Sequence, residues 1–449
     1  RRGSACPSPD MQNKTAPTLP GSIDQGMAKR PWKRGVLASA VALTMLGVGL
    51  VSGSSTNAKT YVGKSDKRQT VSAGVTGGAD IVSAGNVTIR AFNTGYAHSV
   101  VEKGTTVAAI AVSSSSLPTE SYYSTRAYVD GSSSVKAEGN ISVESEDLVS
   151  ATSNATATQI GFGVSAESMR GSNTANVLNT IDIAGVLAAG GSLSVKATSN
   201  ADLYAKTYAD GGGFFSGSKL KASNTLTRAT TINIKDSSDL SADFGDLTIK
   251  AAAGVNDDIY TYARISSGGV VALGNAEANG TVNSSANVNI GKGVVLYDRY
   301  NTLSIYSDAS LGSFSSSVEV NTSGLGVCPQ SKVNTDVDLA SNVTIAGTSA
   351  DKAVLEARYV DVESLVSSLY IYSYTYANGK ALGADVDANT QMDVSIDSNV
   401  AVSNATITGH DKITSAAHAR PAYRSHNIYG VATARLNAIG EGVARVDID

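Results

Sequence analysis

Apolar and polar residues alternate with a period of two along most of this chain. The phrase Gly245–Ala251 (GDLTIKA) shows the pattern, with Leu247 and Ile249 expected on one side of a strand and Thr248 and Lys250 on the other. Such alternation is typical of β-strands. The sequence therefore predicts an all-β protein in which Leu247 and Ile249 point inward.

The same phrase recurs at a nearly fixed distance. Gly85, Gly139, Gly191 and Gly245 begin the clear copies, and successive starts are 54, 52 and 54 residues apart. Looser copies are expected at Asn301–Ser307, Ala353–Ala357 and Ile413–Ala417. A fixed period predicts a repeat architecture whose length depends on copy number.

Each unit also contains a glycine-centred break, followed by renewed alternation and a second apolar pair. The breaks lie at Gly161–Gly163, Gly211–Gly213, Gly268–Gly269, Gly324–Gly326 and Gly379–Gly383. The pairs that we expect to be equivalent are Ile181/Ile183, Ile232/Ile234, Val288/Ile290, Val337/Leu339 and Val394/Ile396.

These features predict a right-handed, repetitive parallel β-solenoid (β-helix) over residues 85–449, with units of about 50–56 residues. The alternative is an array of small β-sandwich units. We favour the solenoid because a unit with so few large apolar residues would hardly bury a core of its own. The chain ends within a repeat, so we expect it to be incomplete at the C-terminus.

The N-terminal region predicts export. Residues 1–26 are expected to be an upstream extension without structure, and residues 59–84 an N-terminal lead-in or cap. Residues 27–58 have the plan of a secretory signal peptide, with basic residues, then the apolar run Val36–Val51, then small residues ending at Ala58. The run is shorter than the ~20 residues of a spanning helix. We therefore expect cleavage near Ala58, and a secreted or outer-membrane-associated surface protein.

Composition limits the classes of function that we expect of the chain. Charged residues make up 16% of the chain and the net charge is −4. No basic stripe of the kind that marks nucleic-acid binding is present, so we expect no nucleic-acid partner. Tyrosine is unusually frequent, with 19 copies against six phenylalanines and one tryptophan.

Tyrosines cluster just before the glycine breaks and form the candidate ligand-stacking face. Those in Leu369–Tyr376 alternate, so they share one face of a strand. Two interpretations stay open: mutual stacking that stabilises the array by roughly 0.5–1.5 kcal/mol per pair, or an exposed surface for sugars or host proteins. The candidate residues are Tyr204, Tyr208, Tyr260, Tyr262, Tyr370, Tyr372, Tyr374 and Tyr376.

No catalytic, cofactor-binding or metal-binding set emerges from the sequence. His410, His418 and His426 are eight residues apart, with a proline between them, which is poor spacing for a metal site. The acidic clusters Glu144–Asp147 and Asp257–Asp258 are expected to be solvated turn charges. The sequence therefore predicts a protein that is not an enzyme and has no cofactor.

The Gly-x-Leu/Val-Thr/Ser-Ile/Val-x-Ala phrases and the Asn-Val-x-Ile closings resemble the repeats of leukotoxin-type filamentous adhesins of bacteria and, more broadly, of filamentous haemagglutinins. The resemblance covers residues 85–449. It implies a secreted or surface β-solenoid that mediates attachment in virulence, with host-cell or matrix glycans or proteins as partners. Alternatives are a leukotoxic or pore-forming passenger and a polysaccharide-degrading β-helix enzyme, which would need Asp clustered with Arg or Lys.

The resemblance also implies an export partner in the outer membrane or a missing C-terminal barrel. Two-partner secreted members carry a secretion domain with an Asn-Pro-Asn-type motif after the signal peptide. Residues 59–85 contain no such motif. The sequence therefore differs here from the two-partner secreted members that it resembles, and it does not indicate the export route.

Overall fold

The computed structural model describes residues 37–44, 48–418 and 426–449, and the regular structure in these ranges is β-strand. The all-β class is therefore confirmed. The strands are β1 Leu37–Thr44, β2 Val48–Asn57, β3 Thr60–Val62, β4 Gln69–Val75, β5 Asp80–Ser83, β6 Val87–Val129, β7 Ser134–Ala137, β8 Ile141–Ile183, β9 Val186–Ala189, β10 Leu193–Ile234, β11 Asp239–Ala242, β12 Leu247–Ala253, β13 Asp258–Ile290, β14 Val295–Asp298, β15 Thr302–Ala309, β16 Leu311–Ser323, β17 Gly326–Ala346, β18 Ala353–Leu365, β19 Leu369–Ser403, β20 Ala405–His418 and β21 His426–Ile448.

The named strands pair in parallel, and paired residues lie about one sequence repeat apart. Leu247 pairs with Leu193 of the preceding unit and with Leu303 of the following one. Leu247 and Ile249 are fully buried whereas Lys250 is half-buried on the other side, as the alternation predicts. Equivalent positions of successive units are thus neighbours in the sheet, at the usual strand spacing of ~4.8 Å.

The long strands double back at the glycine-centred breaks. In β19, the hydroxyls of Thr375 and Thr390 lie 2.9 Å apart although Leu382 is midway between them in sequence. In β10, the guanidinium of Arg228 donates to the carbonyl of Ser199 at 3.3 Å. The buried faces of the outgoing and returning halves therefore face each other within a unit.

Glycine at the break allows close approach between units. A Cβ on Gly324 would overlap the carbonyl of Gly269, and a Cβ on Gly269 would overlap that of Gly213. Only glycine brings backbones so close without a clash. The repeated break is thus a packing requirement of neighbouring units as well as a bend in the chain.

The interior is narrow and is filled mainly by small side chains. Buried alanine, serine and threonine line most of its length, and larger aliphatic residues gather at the end opposite the breaks. Where a large ring does enter, a glycine faces it. Phe314 lies against Gly280, and Tyr123 against Gly95, where a Cβ would clash with the ring.

Two assignments of repeat positions are wrong. The phrase Ala353–Ala357 does not match GDLTIKA, because its Leu355 pairs with Leu296 of a short strand, whereas Val360 pairs with Leu303. Short and long strands carry the same apolar alternation. Local pattern alone therefore does not distinguish them, and the pairing register does.

The second apolar pair is displaced for the same reason. Val288 pairs with Val343, so Val343 and Ile345 continue the column that begins at Ile181. Val337 pairs with Val282 instead, and Val394 pairs with Val337. On each strand, these two pairs lie six residues before the residue that continues the column of Ile181. The pairs are Val337/Leu339 and Val394/Ile396.

The lead-in, residues 59–84, adds further strands to the parallel sheet. Thr60 pairs with Thr119, and Asp80 with Ser134, in the same parallel arrangement as the repeats. Strands β1 and β2, which lie within the predicted signal peptide, pair with β6 over Tyr96–Ser116. Residues 1–36, which include the upstream extension, and residues 45–47 lie outside the described ranges. The signal peptide stays a prediction, and its cleavage would remove both strands from this edge.

Candidate binding surface

All eight candidate tyrosines lie on the outward side of outgoing half-strands, with their sequence neighbours buried. Tyr204 stacks on Tyr260 with ring centroids 5.2 Å apart, and Tyr260 lies 6.1 Å from Tyr262. In the other group, the rings of Tyr372 and Tyr374 are nearly parallel, with an interplanar angle of 9° and centroids 6.4 Å apart. The structure thus separates two aromatic groups on one face.

A row of serines separates these groups. Ser315 pairs with Tyr260 on one side and with Tyr372 on the other. Ser317 pairs in the same way with Tyr262 and Tyr374. The aromatic ladder is therefore interrupted, and the short serine side chains leave a channel. We define this tyrosine–serine groove by its walls, Tyr260, Tyr262, Tyr372 and Tyr374, and its floor, Ser315 and Ser317.

The groove is slightly wider than a single ring. Its walls stand two strand spacings apart, about 9.6 Å. A ring midway between them would lie about 4.8 Å from each, beyond the 3.5–4.0 Å of carbon–carbon contact, so a ring can touch both walls only where a wall leans inward. Burial raises the pKa of Tyr260, and its hydroxyl lies close enough to Ser317 for that side chain to oppose the rise. One wall therefore leans inward while the serine hydroxyls line the base.

A charged pair marks one end of the groove. Arg264 pairs in register with Glu319, and their side chains lie 3.8 Å apart. The Arg264 guanidinium also lies 5.3 Å from the ring centroid of Tyr208. Burial, and then the charge of Glu319, raises the pKa of Tyr262 to about 12. The phenol of Tyr262 is thus a neutral hydrogen-bonding group at physiological pH.

The remaining candidates flank the groove. Tyr376 pairs with Glu319 at the charged end, and Tyr370 lies against Tyr429 with ring centroids 6.5 Å apart. The sequence pattern missed Ser315, Ser317 and Glu319, because a serine in a serine-rich chain carries no signal alone. Alignment of the unit Phe314–Val320 with the tyrosine phrases on either side would have found them.

Asp257 is not a solvated turn charge, so that expectation is wrong. It is fully buried, and its two carboxylate oxygens each accept a hydrogen bond from Arg228 at 2.8 Å. The backbone N–H of Ala201 donates to the same carboxylate at 2.8 Å, and Arg228 also donates to Ser284. This closed network joins two units and is shut off from any substrate.

Asp147 is also buried, unlike its neighbours Glu144 and Glu146, which form exposed ion pairs with Arg90. One Asp147 oxygen accepts hydrogen bonds from Thr125 at 2.5 Å and from Asn93 at 2.9 Å. Burial outweighs these bonds and raises the pKa of Asp147 to about 6. In the cluster Glu144–Asp147, the two glutamates are therefore solvated, as expected, whereas the expectation is wrong for the buried Asp147.

Among the described residues, no three His, Cys, Asp or Glu side chains are grouped closely enough to hold a metal ion. His410 lies 3.3 Å from Glu356 in an exposed pair. The same residues include no helix with the length and apolar character needed to cross a membrane. Comparison of the chain with protein-family models, curated proteins and solved structures gave no match.

Proposed function

We propose that this chain is a non-enzymatic, secreted or surface-exposed attachment filament that binds carbohydrate through the tyrosine–serine groove. The observation that carries the proposal is the pair of aromatic walls two strand spacings apart over a floor of serines. Stacking on the walls would hold the apolar face of a sugar ring, and the serine and tyrosine hydroxyls would hold its polar edge. Host-cell or matrix glycans are the partners that fit this chemistry.

We also propose that the repeats form the parallel β-solenoid that the sequence predicts. Parallel pairing at offsets of one repeat and the buried contacts between the two halves of each unit support it. An array of β-sandwich units is less favoured, because strands of such units would pair within a unit. The solenoid would repeat its outer face along the axis, which suits attachment to extended polymers.

The enzymatic alternative has less support. A polysaccharide-degrading β-helix would need carboxylates that reach the substrate, and the charge pair of Arg228 with Asp257 is wholly buried. Export through an outer-membrane partner or a C-terminal barrel, and a role in virulence, belong to the same proposal and rest on the resemblance of the repeats.

The test is a glycan array probed with the purified full-length chain, followed by titration of a retained oligosaccharide. Tyr260→Ala and Tyr374→Ala each remove one ring from a wall and should weaken binding about 2- to 13-fold, from about 0.5–1.5 kcal/mol of lost stacking. Ser315→Tyr places a ring on the floor and should abolish binding while leaving the fold intact.

Tyr300→Ala is the matched control. Tyr300 is 47% exposed and stacks on Phe244 at 6.0 Å, away from the groove. It should leave binding unchanged. Retention of no glycan by the full-length chain would overturn the proposal. So would equal losses in the Tyr300 and Tyr260 variants, because binding would then not depend on the groove.

A further inference from the structure

A second surface lies where the long strands double back. Successive units place a large apolar side chain within or next to the turn between the two halves, and most of these side chains are exposed. Phe162 is 77% exposed, Leu382 71% and Ile439 85%. We call this row the tip ridge; its members are Phe162, Phe214, Val270, Leu325, Leu382 and Ile439.

Register keeps the ridge continuous. The N–H of Leu325 donates to the carbonyl of Val270, and the N–H of Gly383 donates to that of Leu325, each at 2.9 Å. Ile439 pairs with Gly383, beside Leu382. The residues next to the ridge are mainly glycine, alanine and valine, with Lys380 and Glu441 at one end and Lys219 in the adjoining hollow. The ridge is thus an apolar line with a repeat of one strand spacing.

A hollow lies directly beside the ridge on the returning halves. It has a volume of about 390 Å³, and Val112, Ala166, Gly217 and Leu273 contribute to its lining. Ala166 and Gly217 are paired neighbours, so the floor is low because two successive units have small residues there. The surface therefore presents projecting rings next to a depression.

We propose that the tip ridge and its hollow are the interface between two copies of this chain. A second copy has the same axial spacing, so its ridge can lie along this one with every unit in contact. A two-fold axis through the middle of the ridge would set the two ridges side by side, each along the edge of the other's hollow, which is an isologous contact.

The exposed area is sufficient for such a dimer. A phenylalanine presents about 150–250 Å², so the ridge residues Phe162 and Phe214, together with Phe215 directly beside them, at 77%, 51% and 49% exposure, offer on the order of 300 Å². The aliphatic ridge residues at least double that area. Two copies would then bury the roughly 1,200 Å² that a stable interface needs.

A lipid surface fits less well. Apolar faces that lie on membranes are usually bordered by lysine and arginine, which bind anionic headgroups. The ridge has mainly neutral neighbours, and its nearby Lys380 is accompanied by Glu441 rather than by further cations in a border. An exposed apolar patch of this size otherwise marks a protein contact, and a matched period singles out a second copy.

The test is sedimentation velocity of the full-length chain at micromolar concentration. The chain should sediment as a dimer, and Val270→Glu and Val270→Lys should each weaken dimerisation at least 10-fold. Val270 is central in the ridge, so it would lie near its own counterpart. An equimolar mixture of the Glu and Lys variants should therefore regain the dimer, which a folding defect cannot mimic.

Phe244→Ser is the control, since Phe244 is 77% exposed at a different corner and should leave the dimer intact. A monomeric full-length chain would overturn the proposal. Flotation of that monomer with phosphatidylcholine vesicles would assign the ridge to a lipid surface instead. Failure of the Glu–Lys mixture to dimerise, with both variants folded, would also count against it.

Discussion

The buried pair of Arg228 and Asp257 gives the sharpest test of how the units stack. Arg228 lies on a returning half, Asp257 begins the next outgoing half, and both side chains are inaccessible to solvent. Arg228→Met keeps most of the side-chain volume and removes both 2.8 Å bonds to the carboxylate. Asp257 would retain the hydrogen bond from the N–H of Ala201.

Breaking a buried ion pair by removing one partner costs about 3–5 kcal/mol, because the other charge is left uncompensated. We expect a loss of that size in the free energy of unfolding. The equilibrium constant for local opening should therefore rise by about two to three and a half powers of ten. Native-state hydrogen exchange at the amide of Ala201 measures this opening even if a repeat array does not unfold in two states.

Two further variants are controls for the stability loss expected of Arg228→Met. Arg126→Met removes the exposed pair of Arg126 with Asp182, at 2.8 Å and 49% exposure of the arginine, and should cost less than about 1 kcal/mol. Arg228→Met combined with Asp257→Asn should cost less than the sum of the single changes, since no charge is stranded. If Arg228→Met alone costs less than about 1 kcal/mol, water reaches Asp257, and the inferred packing between units is wrong.

Two further predictions concern the interior. The pKa of Asp147, about 6 when folded, lies above its ordinary value, so the folded chain keeps a proton that the unfolded chain loses between about pH 4 and 6. The free energy of unfolding should therefore fall by up to about 3 kcal/mol as pH rises through this window; Asp147→Asn should flatten that slope in denaturant titrations, and an unchanged slope would refute the assignment. Gly280→Ala should cost about 1–3 kcal/mol, because its Cβ would clash with Phe314, whereas Gly217→Ala has open space and should cost little. Phe314→Leu should recover part of the Gly280→Ala loss in the same titrations, and equal effects at both glycines would contradict the packing.

Much of the fold was predictable because it depends on local alternation. Leu247 and Ile249 are inward since period two leaves them no other face, and the glycine break recurs because Gly324 contacts the backbone of its neighbour. The exact repeat register was not predictable. Leu355 and Val360 begin equally plausible apolar phrases, and only pairing across units shows that Val360 continues the column of Leu247.

The candidate site was predictable in part. Outward tyrosines follow from the alternation, whereas the groove depends on which residue the next unit places beside each one. Ser315 and Ser317 gain their meaning only from pairing with tyrosines about 55 residues away on either side. Burial of Asp147 and Asp257 was missed for a related reason, because their partners Thr125 and Arg228 come from other half-strands.

The tyrosine–serine groove and the tip ridge are separate surfaces, so a dimer formed through the ridge could still bind glycan through its grooves. Tyr262 precedes Val270 by eight residues on an extended strand, which places the groove about 27 Å from the ridge. The groove is on the outgoing face and the hollow is on the returning face, so a dimer formed through the ridge would leave both grooves open. Linked grooves bind a multivalent surface more tightly than either one does alone. Val270→Lys should therefore reduce retention on a dense glycan surface at least 10-fold, yet leave the dissociation constant for a single soluble oligosaccharide unchanged. Equal losses in both assays would show that the ridge and the groove are not independent.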